Sequence, residues 1–194
     1  MTVIGVTGSS GSGKSTLTQF FRERGALILD ADAIYHRLLA ESGEMRDTLA
    51  AEFGAEILAN NRIDRKKLGQ IVFAAPEKLA KLNSLTHPFV IADIVHSLET
   101  SPATVAVIDA PLLFESGLDG MCDVTCGVLA PYEIRLTRIM ARDGISAEAA
   151  TARLNAQKPD SYYMERCDLI LQNDSDTASL VSRAEKLWDA FGKQ

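Results

Sequence analysis

The fold of this chain is decided by the stretch Gly8-Ser9-Ser10-Gly11-Ser12-Gly13-Lys14-Ser15, a full match to G-x-x-x-x-G-K-[ST]. The apolar residues 3–7 before it predict a short buried strand. The apolar spacing of residues 15–22 after it predicts a helix. Strand, glycine-rich loop and helix in this order are typical of a phosphate site, because glycines let successive backbone N–H groups point at phosphate oxygens.

The loop residues have separate expected roles. The N-terminus of the helix attracts phosphate, Lys14 reaches the outer phosphates, and the Ser15 hydroxyl binds Mg²⁺. A flexible turn that binds nothing is the alternative, and the flanking strand and helix argue against it. We therefore expect an ATP site formed by Gly8, Gly11, Ser12, Gly13, Lys14, Ser15 and Thr16.

The composition is that of an ordinary soluble globular domain. The 194 residues are 46% apolar and 24% charged, which suits one domain or one core with insertions. No apolar run is long enough to span a membrane, and the N-terminal residues lack the basic region of a signal peptide. The three cysteines lack C-x-x-C spacing, which argues against a disulfide framework or a zinc site. We expect a cytoplasmic protein without a membrane partner.

Carboxylates follow two further predicted strands. The apolar strand 26–30 ends at Asp30, which suits a helix cap, and we expect Asp32 within reach of the terminal phosphate, with the phosphate loop on the neighbouring strand. The apolar strand 104–109 ends at Asp109, which either holds Mg²⁺, directly or through water, or caps a turn. At least one of Asp30 and Asp32 is expected to have a chemical role.

Residues 42–100 are predicted to be mostly helical, with no strand. Pro88 interrupts the apolar pattern, so a new helix is expected to begin near 86–88. So much helix between two strands suggests an insertion that holds a second substrate. Its basic run, which includes Arg65, is either a solvated face or a contact to an anionic acceptor. His87 could cap its helix, pack under it or contact the acceptor.

A second basic cluster lies between the predicted fourth and fifth strands. Residues 135–158 carry five cations and two anions, a net charge of +3 in a chain whose net charge is −6. The overall negative charge argues against nucleic-acid binding. Arg135, Arg138 and Arg142 fall on one helix face, where their guanidinium groups either form a solvated face or close over a polyphosphate as a lid.

Three classes of phosphate-loop protein can be compared with this pattern. A regulatory GTPase should show D-x-x-G and N-K-x-D motifs, and the sequence has neither. A motor normally needs a longer chain and an assembly surface. A small-molecule kinase should have a short core, an acceptor-binding insertion and an arginine lid, and the sequence has all three.

Over essentially its whole length the chain resembles dephospho-coenzyme A kinase. The phosphate loop alone is generic, but the ordered set of further motifs is much more specific. The matching stretches are 7–16, Asp30-Ala31-Asp32, 63–73, Thr86-His87-Pro88, Asp109-Ala110-Pro111-Leu112-Leu113-Phe114-Glu115, 138–144 and Ala156-Gln157.

The resemblance implies transfer of the ATP γ-phosphoryl group to the ribose 3′-hydroxyl of dephospho-CoA, the last step of coenzyme A synthesis. It implies that Asp32 orients and deprotonates that hydroxyl, with Mg²⁺ on Ser15. It further implies that Arg138 and Arg142 close from the lid, and that Arg65 and His87 hold the acceptor. Another small-molecule kinase, of nucleotide or shikimate type, is the alternative, followed by a non-kinase ATPase.

The predicted fold is α/β, with a five-stranded parallel sheet flanked by helices. We expect one domain, with a core at about 1–32, 101–131 and 167–194, a helical acceptor-binding insertion at about 33–100 and a lid at about 132–166. A monomer or small homo-oligomer is expected. The chain departs from the family pattern at Ser9-Ser10, where little effect is expected, and the predicted turn 173–176 lacks a glycine that the family often has.

Overall fold

The computed structural model describes residues 1–174 and 177–191. The chain divides into two compact units. The first comprises Met1–Leu29 and the chain from Pro102 onward, and the second is Asp30–Ser101. Because the described ranges end at 174 and resume at 177, the predicted turn 173–176 lies partly outside them.

The strands of the described residues are short, and the three central strands of the main sheet are largely buried. Five form one sheet, and two form a separate hairpin. They are β1 (Thr2–Thr7), β2 (Leu27–Asp30), β3 (Leu58–Ala59), β4 (Arg62–Ile63), β5 (Val105–Asp109), β6 (Val124–Leu129) and β7 (Leu169–Gln172).

The large sheet has the strand order β2-β5-β1-β6-β7. The pairs β1–β5, β1–β6 and β6–β7 are all parallel, which confirms the predicted five-stranded α/β sheet. One expectation is wrong: β5 lies between β2 and β1, so β2 is not the neighbour of the strand that carries the phosphate loop. Instead, the neighbouring strand on that side is the one that ends at Asp109.

Helices surround this sheet and make up most of the second unit. The glycine-rich loop leads directly into the first of them. They are α1 (Lys14–Glu23), α2 (Ala31–Glu41), α3 (Gly43–Phe53), α4 (Arg65–Val72), α5 (Pro76–Thr100), α6 (Tyr132–Asp143), α7 (Ala147–Asn155), α8 (Asp160–Met164) and α9 (Thr177–Phe191), with short 3₁₀ helices at Ala55–Ile57 and Leu118–Met121.

The core of the first unit forms where β1, β5 and β6 are covered by α1 and α9. Residues 3–7 of β1 and the whole of β6 are buried, as expected for central strands covered on both faces. Phe21 of α1 packs against Trp188 of α9, with ring centroids 6.0 Å apart. This packing fixes the direction in which α1 leaves the loop.

The second unit has a separate core, and its secondary structure departs from the prediction in two places. A turn at residues 60–61 joins the hairpin β3–β4, in a region where no strand was expected. Asn60 and Asn61 have φ values of 51° and 59°, which is typical of a two-residue hairpin turn. Contrary to expectation, α5 is a single helix that runs through Pro88. Burial of Leu82, Val90 and Ile94 on both sides of the proline outweighs the lost backbone hydrogen bond.

Among the described residues, no helix is long and apolar enough to cross a membrane.

Candidate active site

The loop between β1 and α1 adopts a conformation that requires its three motif glycines. Gly8, Gly11 and Gly13 have φ values of 137°, 77° and 106°, a region that side chains disfavour. A Cβ at these positions would lie 2.3 Å from the Val128 carbonyl oxygen, 2.8 Å from the Arg135 carbonyl oxygen and 2.2 Å from Asn173 Nδ2, respectively. The backbone of this loop therefore packs closely against Val128, Arg135 and Asn173, with no room for side chains at the three glycines.

Lys14 and Ser12 place polar groups at the loop. The Lys14 ammonium group donates a hydrogen bond to the Gly8 carbonyl oxygen at 2.6 Å, so its side chain folds back across the loop. No side chain of the described residues caps the N-terminus of α1. Ser12 Oγ is buried and has no hydrogen-bond partner in the part of the chain that the structure describes. A positive helix end, an ammonium group and an unpartnered hydroxyl suit an anionic ligand such as phosphate.

Asp109 ends the strand beside the loop. It is the register partner of Val6, two residues before Gly8, and it is half-buried, whereas Ser15 is exposed in the first turn of α1. Across the described ranges, no group of three or more His, Cys, Asp or Glu side chains could hold a metal ion. The Ser15 hydroxyl and the Asp109 carboxylate are oxygen ligands of the kind that Mg²⁺ prefers, and a bound nucleotide would supply further oxygens.

The three arginines of α6 separate into two groups. Arg135 donates to Ser9 Oγ, and Arg138 donates to the Gly11 carbonyl oxygen at 3.2 Å, so both side chains reach the phosphate loop. Arg142 instead pairs with Asp143 through two hydrogen bonds of 2.7 and 3.0 Å. These bonds lower the pKa of the Asp143 carboxyl. Arg142 thus belongs to a surface ion pair in this structure.

Asn173, immediately after β7, was not predicted as a site residue. Its Nδ2 donates to the Ser12 carbonyl oxygen at 2.7 Å, and its Oδ1 accepts from Arg138 at 3.4 Å. Its backbone N–H donates to the Leu129 carbonyl oxygen at 2.7 Å. The side chain therefore joins the loop to α6. Only its position at the end of a strand could have indicated this from the sequence.

In the second unit, the two aspartates of the D-A-D motif differ in role. Asp30 Oδ1 accepts a hydrogen bond from the Ala33 N–H at 2.9 Å, which confirms Asp30 as the cap of α2. Asp32 is exposed in the first turn of the same helix, one turn before His36. Arg65 Nη2 lies 3.3 Å from His36 Nε2, so Arg65 is held beside the Asp32 face of α2.

His87 lies in the middle of α5, next to Pro88, and is half-buried. A capping role is therefore wrong, because no helix begins or ends there. A role for His87 in holding an acceptor stays a prediction.

The family of this chain follows from its similarity to known proteins. The family model for dephospho-CoA kinase matches residues 2–179. The chain belongs to the dephospho-CoA kinase family. A family member from Fusobacterium nucleatum, named dephospho-CoA kinase, is 38% identical over 190 residues, which cover 97% of this chain and 98% of that protein. One from Corynebacterium diphtheriae is 35% identical over 198 residues, covering 100% and 99% of the two chains.

Solved structures share the fold of this chain, and one of them is named dephospho-CoA kinase. The dephospho-CoA kinase from Campylobacter jejuni is 31% identical, with a TM-score of 0.69 over 96% of this chain and 95% of that chain. A Thermus thermophilus protein of known crystal structure is 35% identical in sequence, with a TM-score of 0.84 over 97% of this chain and 96% of that chain. A shikimate kinase from Bacteroides thetaiotaomicron, 16% identical with a TM-score of 0.58 over 97% of each chain, shares the fold.

Proposed function

We propose that this protein transfers the γ-phosphoryl group of ATP to the ribose 3′-hydroxyl of dephospho-CoA, giving coenzyme A and ADP. One observation carries the proposal. The glycine-rich loop, with Lys14 folded over it and Asp109 on the adjacent strand, occurs in a chain that matches the dephospho-CoA kinase family over residues 2–179. The loop geometry supports phosphate binding, and the family match supports the choice of acceptor.

In the proposed reaction, the 3′-hydroxyl oxygen forms a bond to the γ-phosphorus while the bond from that phosphorus to the β,γ-bridging oxygen breaks. Asp32 orients the hydroxyl and takes its proton, and ADP leaves. Lys14 and Arg138 stabilise the charge on the phosphoryl oxygens, and Arg142 joins them when its pair with Asp143 opens. Phosphoryl transfer depends mainly on such positioning and electrostatic stabilisation.

The acceptor and the metal complete the proposal. Arg65 and His87 hold dephospho-CoA in the helical unit. Ser15 and Asp109 would hold Mg²⁺, Asp109 directly or through water, when the nucleotide is bound. When bound, this ion supplies positive charge that neutralises the β- and γ-phosphate oxygens.

A coupled ADP-release assay with ATP and Mg²⁺ tests the proposal. It compares dephospho-CoA with adenosine, AMP and shikimate as acceptors, with Lys14→Ala as the variant of low activity. We expect turnover only with dephospho-CoA and a product that carries a 3′-phosphate. Turnover with a different acceptor would keep the kinase class but contradict the substrate. ATP hydrolysis that is independent of every acceptor would support a non-kinase ATPase instead.

A further inference from the structure

The two serines at which the loop departs from the family pattern both contact residues of the segment 132–166. The Ser10 N–H donates to Gln157 Oε1 at 2.9 Å, and Gln157 Nε2 donates to Ser10 Oγ at 2.8 Å. Gln157 therefore holds both the backbone and the side chain of one loop residue, although 147 residues separate the two in sequence. The Ala156-Gln157 motif has no role in the function proposed above.

The position of Gln157 is fixed by the structure that precedes it. Its N–H donates to the Leu154 carbonyl oxygen at 3.1 Å, just after α7 ends. Leu154 and Ala150 of α7 are buried against Ile139 of α6 in a small separate core. Gln157 thus extends from a packed helix pair rather than from a loose surface loop.

Arg135 makes a second, independent contact to the same part of the loop. Its Nη1 donates to Ser9 Oγ and lies 3.5 Å from Asp160 Oδ1, and the arginine side chain is only 11% exposed. The Arg135 backbone also lies against Gly11. Consecutive loop residues 9, 10 and 11 are therefore each contacted from the segment 132–166.

We propose that Gln157 is a positioning residue for ATP, which holds the first half of the phosphate loop through Ser10 in the conformation that binds the nucleotide. This inference rests on the proposed function. A loop with three left-handed glycines has wide conformational freedom, and ordering it at the moment of binding would weaken affinity. The two hydrogen bonds from Gln157 order the loop beforehand. The Ser10 hydroxyl accepts one of them, so a serine that departs from the family pattern takes part in ordering the loop.

The test compares ATP dissociation constants by calorimetry in four variants of the full chain. Gln157→Ala should raise the ATP dissociation constant about tenfold, the effect of losing two neutral hydrogen bonds. Ser10→Ala, which removes only the hydroxyl, should raise it about threefold. In the double variant, Ser10→Ala should raise the ATP dissociation constant by a smaller factor than it does alone, because the Gln157 partner of the hydroxyl is already absent. Asn155→Ala, at an exposed position at the end of α7, is the matched control and should leave ATP binding unchanged.

A second readout is amide hydrogen exchange at Ser10 without nucleotide, which should become faster in Gln157→Ala. Unchanged exchange there, a wild-type dissociation constant in Gln157→Ala, or full additivity of the two substitutions would each overturn the inference while leaving the proposed function intact. Should Gln157→Ala fail to fold, Ser10→Ala decides alone: an unchanged dissociation constant contradicts the role. Failure of the wild-type protein to bind ATP would contradict the proposed function itself.

Discussion

Asn173 Nδ2 donates a hydrogen bond to the carbonyl oxygen of Ser12 at 2.7 Å, although 161 residues separate them. The same amide accepts from Arg138 at 3.4 Å. A buried side chain at the end of the edge strand β7 therefore sets the distance between the phosphate loop and an arginine of α6.

Replacing Asn173 should loosen the loop. Asn173→Ala leaves the Ser12 carbonyl oxygen without this donor, and we expect a loss of about 1 kcal/mol in the free energy of unfolding and a rise of about fivefold in the KM for ATP. Urea unfolding and steady-state kinetics measure the two effects. Asp174→Ala, at the adjacent exposed residue, removes a surface ion pair with Arg183 but no contact to the loop, so as the control it should leave the KM for ATP unchanged. A variant with a normal KM for ATP would show that this contact does not shape the nucleotide site.

Asp32→Asn should reduce kcat by at least about a thousandfold, because the amide cannot take the proton of the acceptor hydroxyl. The dissociation constant for ATP should stay nearly unchanged. Asp30→Asn is a matched control, because asparagine also caps helices well and α2 should remain intact. If Asp32→Asn keeps most of the activity, Asp32 is not the base.

Arg138→Ala should lower kcat about a hundredfold, the effect typical of losing one preorganised charge, with a smaller change in the KM for dephospho-CoA. Arg142→Ala should lower kcat less, since Arg142 must first leave Asp143 before it can reach a phosphate. Arg166→Ala, which removes the same charge from an exposed position, is the control. A larger change in the KM for dephospho-CoA than in kcat would place Arg138 at the acceptor site.

Asp168 should contribute stability that depends on pH. Thr125 donates to Asp168 Oδ2 from its hydroxyl and its N–H, at 2.7 and 2.8 Å, and these bonds lower the pKa of the carboxyl below its ordinary value. The contribution is therefore complete above the unfolded-state pKa near 3.8 and is lost as the pH falls through the lowered folded-state value.

Asp168→Asn should accordingly cost about 1 kcal/mol in the free energy of unfolding at pH 7, a value at the low end for bonds to a charged group because Asp168 is exposed. The difference from wild type should shrink below pH 4. Urea unfolding at pH 7, 5 and 3.5 measures it. An equal difference at every pH would exclude the carboxylate charge as its cause.

The three free cysteines should react slowly in the folded protein. Burial raises the pKa of the Cys122 and Cys126 thiols to about 12 each and that of Cys167 to about 11, so at pH 8 the reactive thiolate is scarce. A chromogenic disulfide reagent should modify the native protein at least about a hundredfold more slowly than the protein in guanidinium. One thiol that reacts equally fast in both states would contradict this.

Local patterns predicted most of the fold. The strands of the main sheet, the helix after the loop and the Asp30 cap all follow from apolar spacing and from the residue types at helix starts. The hairpin β3–β4 was missed because strands of two residues have no measurable alternation. The break at Pro88 was wrongly predicted because local helix propensity contains no information about the tertiary packing of the buried residues before and after the proline.

The candidate site was predicted unevenly for a similar reason. The phosphate loop is contiguous in sequence, so its conformation at Gly8, Gly11 and Gly13 could be anticipated. Its contacts to Gln157 and Asn173 span 147 and 161 residues, and neither partner carries a charge or a motif spacing that points to the loop. The prediction for α6 identified the helix but could not say that Arg135 and Arg138 reach the phosphate loop while Arg142 pairs with Asp143.

The phosphate loop depends on contacts from residues far away in the sequence, and this has a consequence for protein engineering. The stretch Gly8–Ser15 is not expected to function when it is transferred alone to another protein, because the groups that define its shape come from the residue after β7, from α6 and from the residues after α7. In a chimaera whose first 25 residues came from a distant kinase, Asn173 and Gln157 would face a loop of different sequence and could lose their hydrogen bonds to residues 12 and 10. Recombination between relatives should therefore succeed where the loop and these two side chains are inherited from the same parent.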